Sequence, residues 1–190
     1  MKKKGVKFFL GITMLMLLSC GSEILPKPEG MLRLSYPTPE YKEVSLSCAY
    51  SFEKNEFSEF KRARRNKKCW YNLDYKKLKA TIYLSYFEVN NNLDSLLRDA
   101  QNLTQEHVVK ADGIIQTPYV NEENKKYGMF YEVSGNAASQ SQFYVTDSVS
   151  HFVVGSVYFK VKPNYDSILP AANYLRNDMR HLMETLRWKD

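Results

Sequence analysis

Histidine is scarce in this chain of 190 residues: there are three, His107, His151 and His181. They fall on separate predicted elements, and none has a cysteine, carboxylate or second histidine at metal-ligand spacing, which excludes the common zinc patterns. Glycine is also sparse, eight residues dispersed along the chain, and no run of them forms a phosphate-cradling loop. Ser134-Gly135-Asn136 lacks the G-x-S-x-G elbow of a serine hydrolase, and no Asp-x-x-His pair follows it. A tight turn explains Gly-Asn, since both residues tolerate positive φ. The residues therefore predict no catalytic group, no metal and no cofactor.

Excess charge is missing too, once the first residues are set apart. The formal net charge is +6, but residues 1–19 hold four lysines and no acid, which leaves 23 basic and 21 acidic residues. That near-balance excludes the electrostatic footprint of a nucleic-acid-binding protein. A second long apolar run is absent as well, so no transmembrane helix is predicted after Cys20.

The first twenty residues are distinctive. Lys2, Lys3, Lys4 and Lys7 precede the uncharged run Phe8 to Leu18, and Leu17-Leu18-Ser19-Cys20 follows. A basic start, a short apolar run and small residues at a cut site describe an export signal. The cysteine makes it a lipoprotein signal, whose thiol takes a diacylglyceryl group before cleavage leaves Cys20 first. Residues 1–19 are then the signal peptide and 20–39 a tether held extended by Pro26, Pro28, Pro37 and Pro39. Residues 40–190 form one domain held at the membrane by lipid. Gly21-Ser22 after the cysteine favours an outer-membrane position facing the periplasm.

The other two cysteines, Cys48 and Cys69, meet an oxidising compartment. They form either a bridge closing a loop of about 22 residues, worth about 3 kcal/mol, or two separate buried thiols.

Along the body, the pattern predicts strands at Glu43–Phe52, Cys69–Leu73 and Lys79–Glu88, the last with Ile82, Leu84 and Tyr86 on one face. Met31–Leu34 could add a short strand to the tether. Glu53 to Lys68 reads as polar connection, ending in the basic run 61–68. That run is either a solvated segment or a contact for anionic lipid or an acidic partner. Asn92 caps an amphipathic helix from Leu93 to about Val109 with a core stripe of Leu93, Leu96, Leu97, Ala100 and Leu103. Strands at Ile114–Val120, Tyr127–Ser134, Gln140–Asp147 and His151–Lys162 are joined by gaps too short for crossover helices, so they are antiparallel. A final helix carries Ile168, Ala171, Ala172, Leu175, Met179, Leu182, Met183 and Leu186 at helical spacing, with Pro170 in its first turn. His107 and His181 read as helix-surface residues. The fold class is α+β, a mainly antiparallel sheet packed by a central and a C-terminal helix.

The stretch GNAASQSQFYVTDS (135–148) is the candidate contact surface. Small and amide side chains before an aromatic strand suit protein contact, with Asn136, Gln140, Gln142 and Tyr144 as candidates. A solvent-exposed hairpin is the plainer reading.

The segments PKPEGMLRLSYP, CWYNLDYKKLKATIYLSY, NNNLDSLLRDAQNLTQEHVVKAD and YGMFYEVSGNAASQSQFYVTDS resemble the gliding motility lipoprotein GldD family, from about Pro26 to Trp188. The resemblance implies a lipoprotein of the gliding machinery, linked to type IX secretion, with other envelope proteins of that machinery as partners and no enzyme activity. It assigns lipidation to Cys20. The strand and helix pattern is also similar to the PsbP/Mog1-like sandwich, a likeness of fold that transfers no function. Two function classes stand: an assembly or binding factor, and a binder of a small envelope ligand (glycan or lipid) in an aromatic-lined pocket.

Overall fold

The computed structural model describes residues 35–44, 47–63, 67–105, 110–161 and 164–189. Cys20, Met31–Leu34, His107 and part of the basic run lie outside the described residues.

Among the described residues ten strands and two α-helices follow one another: β1 (Tyr41–Val44), β2 (Tyr50–Asn55), β3 (Glu59–Arg62), β4 (Tyr71–Tyr75), β5 (Ala80–Glu88), α1 (Leu93–Gln105), β6 (Ala111–Asn121), β7 (Lys126–Gly135), β8 (Ser141–Thr146), β9 (His151–Phe159), α2 (Tyr165–Thr185) and β10 (Arg187–Trp188). One sheet has seven strands in the order β3-β4-β5-β9-β8-β7-β6, and a second has three, β1-β2-β10. Every strand pair is antiparallel. The α+β class expected from runs of strands with a central and a terminal helix is what the chain adopts.

The seven-stranded sheet is covered on both faces. On one face, Leu73, Ile82, Leu84, Phe143, Val145, Val153 and Val157 pack with Tyr50 and Phe52 of the small sheet and with Leu175, Met179, Leu182 and Met183 of α2. On the other, Tyr131, Tyr144 and Phe152 pack against Ala100, Leu93, Leu96 and Leu97 of α1. The period-2 alternation of β5 and β8 sends neighbouring residues into different cores. Ile82, Leu84 and Tyr86 share the α2 side, as their alternation predicts. The stripe of α1 is only half-buried apart from Ala100, so this helix is a lid on the sheet and not the centre of a core.

Several boundaries depart from expectation. The stretch Glu43–Phe52 is two strands, because the chain turns back between them and β1 pairs with β2, Tyr41 opposite Asn55. Cys48 lies in the connection, not in a strand. The polar stretch after Glu53 contains β3, an edge strand of four residues whose Lys61 reaches Asp74 of β4 at 2.9 Å. Asp74 and Tyr75 belong to β4 rather than to a turn, and a single 3-10 turn (Lys76–Leu78) with Lys79 at φ 49° makes the reversal. Helix α2 begins at Tyr165, where Ser167 and Ile168 donate to the Asn164 carbonyl. Pro170 therefore sits in the second turn, at the cost of one backbone bond. After α2, β10 pairs with β2, Trp188 opposite Tyr50.

Candidate functional site

Cys48 and Cys69 are joined by a disulfide, with Cα atoms 5.8 Å apart. The bridge lies beside a cleft of about 810 Å³ lined in part by Cys48, Lys68, Tyr86, Glu88, Ser150 and His151. His151 Nδ1 meets the Tyr86 hydroxyl at 2.8 Å, and its ring stacks on Trp188. Asp147 has a different task. Burial pushes its carboxyl up, but the backbone N–H groups of His151, Ser150 and Val149 donate to it and hold it below its ordinary value. The carboxylate shapes the turn into β9 while the imidazole pairs with a tyrosine, so His151, Asp147 and a serine do not assemble a hydrolase triad.

His181 is not a surface residue of its helix. It is half-buried, its Nε2 lies 2.7 Å from Glu53, and its ring stacks on Tyr41 at 3.6 Å. One turn away, Asp178 is 3% exposed and accepts hydrogen bonds from Tyr41 (2.7 Å), Asn55 (2.9 Å) and Tyr75 (2.9 Å). Burial raises its carboxyl above the ordinary range, against the pull of those donors. This cluster pins β1 and β2 to α2.

Of the basic run, Lys61 is bound to Asp74 and Glu59, Lys67 lies over the Trp70 ring, and Lys68 lines the disulfide cleft. Residues 64–66 lie outside the described part.

The 135–148 segment is mostly interior. Gly135 has φ +90° and closes the turn against Asp112, where a Cβ would collide with the backbone. Asn136 is exposed, and its side-chain oxygen accepts the N–H of Tyr165 at 2.9 Å, tying the turn to the start of α2. Gln140, Gln142 and Tyr144 are buried, which removes them from the expected contact surface. The reason is topological: β8 lies between β7 and β9 with a helix on each face, so all six of its residues are inside. Amide side chains of a strand covered on both faces resemble those of a solvent-facing hairpin in sequence, because the helices that cover them lie far away along the chain. Gln142 instead accepts the Thr104 hydroxyl of α1 at 2.9 Å.

What remains at the surface is β6. It is eleven residues long, pairs among the described residues only with β7, and forms one edge of the large sheet. Ile115 is 64% and Val120 62% exposed. A long edge strand leaves a row of N–H and C=O groups available to another strand. Within Ile114–Val120, Ile114 and Tyr119 pack against the two cores on opposite faces of the sheet, while Ile115 and Val120 stay in water.

Together these features define an α+β scaffold with an open sheet edge and, among the described residues, no cluster of three or more His, Cys, Asp or Glu that could hold a metal. Among the described residues no helix is long and apolar enough to cross a membrane. The model of the family described as gliding motility lipoprotein GldD matches residues 21–188, and the chain belongs to that family. No curated protein matches it. Among solved structures it is similar to the solution structure of cyanobacterial PsbP (CyanoP) from Synechocystis sp. PCC 6803, at 7% identity and a TM-score of 0.48. That match covers 80% of this chain and 95% of the other.

Proposed function

We propose that this gliding motility lipoprotein is a non-catalytic assembly factor that docks an envelope protein of the motility machinery, linked to type IX secretion, along the edge of β6. In this reading residues 1–19 are removed, Cys20 carries the lipid, and residues 20–39 tether the domain to the outer membrane on its periplasmic side. The observation that carries it is the unpaired edge of β6, with Ile115 and Val120 held out to solvent. Strand addition supplies main-chain hydrogen bonds for affinity, and exposed apolar side chains beside them supply selectivity.

The test is complementation of a deletion strain with Ile115→Lys and Val120→Lys together. Both side chains are mostly in water, so the fold is expected to stand, with an unchanged melting temperature. Cells should lose surface spreading, and mild-detergent purification of the tagged lipoprotein should lose its envelope partner. Normal spreading and an undiminished set of co-purified envelope proteins would remove the β6 edge as the docking site.

A further inference from the structure

A cleft of about 610 Å³ opens where the described chain begins, with Ser35, Tyr36 and Pro37 in its wall. The Tyr36 ring lies 5.2 Å from that of Tyr174 of α2, which fixes the entering chain to this end of the domain. The floor is apolar. Phe57, Leu78 and Phe159 line it, and each also packs against the core on the α2 side. Val161, 37% exposed, stands beside them. No residue of β6 takes part, so the cleft is separate from the docking edge. The two ends of β9 differ in kind: this wall lies at the Phe159 end, whereas the disulfide cleft at the His151 end shows Glu88, Asn90 and Ser150.

Charge completes the pattern. Among the described residues the lining holds two lysines, Lys77 and Lys79, and no carboxylate. Both are exposed, and among the described residues neither is held in an ion pair. Lys76 and Lys160 close by are matched to Glu59 and Asp74. The Lys77 ammonium stands over the Phe57 ring, 5.6 Å from its centroid. Half-buried apolar groups rimmed by unpaired ammonium groups fit the boundary between lipid phosphates and acyl chains. The cations also fit the negative surface of an anionic bilayer. An acidic protein would satisfy the lysines, but the tether favours lipid. Residues 21–34 connect Cys20 to Ser35, a reach of at most about 50 Å at full extension. The chain that leads to the anchor leaves the domain at this cleft, which keeps the cleft close to the bilayer at high effective concentration.

We infer that this end of the domain docks on an anionic phospholipid bilayer, lipid entering the cleft against Phe57, Leu78, Phe159 and Val161 and its phosphates meeting Lys77 and Lys79. The inference rests on the lipidation of Cys20 and not on the β6 edge.

The experiment uses the full lipidated chain, checked for lipid on Cys20 by mass spectrometry and added to preformed phosphatidylcholine vesicles with or without phosphatidylglycerol. With Cys20 lipidated and Cys48 bonded to Cys69, Val161→Cys supplies a single free thiol for an environment-sensitive fluorophore. Val149→Cys does the same at the other end of β9, where Val149 is 73% exposed. With phosphatidylglycerol present, the label at 161 should shift to the blue and lose about threefold or more of its quenching by acrylamide, while the label at 149 stays open to water. Lys77→Glu and Lys79→Glu together should restore quenching at 161. That chain should still float with the vesicles and melt as the parent does, since both side chains are exposed. A label at 161 quenched as fully as the one at 149 overturns the inference. So does shielding that is equal without phosphatidylglycerol and unmoved by the charge reversal, which would assign the cover to the chain's own tether or to a second copy. A chain without lipid on Cys20 fails at the earlier step, removing the anchoring reading and this inference with it.

Discussion

Phe143 and Gly155 stand opposite each other in adjacent strands, and the ring lies over the glycine. A Cβ at position 155 would fall inside the van der Waals shell of that fully buried ring. Phe143 is packed between β9 and α2 and has nowhere to go. Gly155→Ala should therefore destabilise the protein by about 1–3 kcal/mol, the usual cost of overpacking a core. Urea unfolding followed by circular dichroism measures it, and an unchanged midpoint would show that the ring can move. Two carboxylates act at the same scale with opposite signs. Asp178 is raised by burial above its ordinary 3.8; its native state keeps the proton longer, so its contribution favours the fold at low pH and is lost as pH rises through the folded value. Asp74 is lowered, first by Lys160 at 2.7 Å and then by Lys61. Its contribution is present above 3.8 and is lost as pH falls below it. Stability measured from about pH 2 to 6 should lose its falling limb in Asp178→Asn and its rising limb in Asp74→Asn. A profile unchanged by both substitutions would contradict these assignments.

Among elements, the disulfide governs the first third of the domain. It joins the β1–β2 connection to the residue before Trp70 and encloses β2 and β3. Replacing both cysteines with serine should cost about 3 kcal/mol on the chain-entropy scale for a loop of this size. The loss should show as a lower melting temperature, and a reducing agent should reproduce it in the parent chain. Legibility in the sequence differs sharply from element to element. The stripe of α2 and the hairpins from β6 to β9 are readable because each has a clear period and short polar gaps. β3 and β10 are not: each is short and polar, and each exists because a neighbour, β4 or β2, offers a ready edge. The buried amides of β8 are unreadable for a different reason, since burial on both faces depends on helices placed far away in sequence. Of the candidate contact residues, Asn136 alone is exposed, and its side chain serves a fold contact with Tyr165. The β6 edge becomes visible only once strand order is known.

For the whole molecule, attachment is the testable property. Cys20→Ala should leave the protein unlipidated and, because cleavage follows lipidation, still carrying residues 1–19, so the lipidated form that begins at residue 20 should be missing. Mass spectrometry of the purified parent and variant decides it, and a variant still cut before residue 20 would show that processing does not depend on the thiol. The pairing of β2 with β10 bears on the order of assembly. Tyr50 has Trp188 as its strand partner, while Phe52 packs in a core that α2 completes. An N-terminal hairpin thus waits, with one edge open, until nearly all of the remaining chain has emerged. During passage across a membrane the small sheet is the last part to close, and the half-emerged chain presents a β-edge that chaperones or neighbouring chains can occupy. A chain shortened to end at Thr185 should keep the β5–β9 pairing yet be cut by protease between β1 and β3, where the intact protein resists.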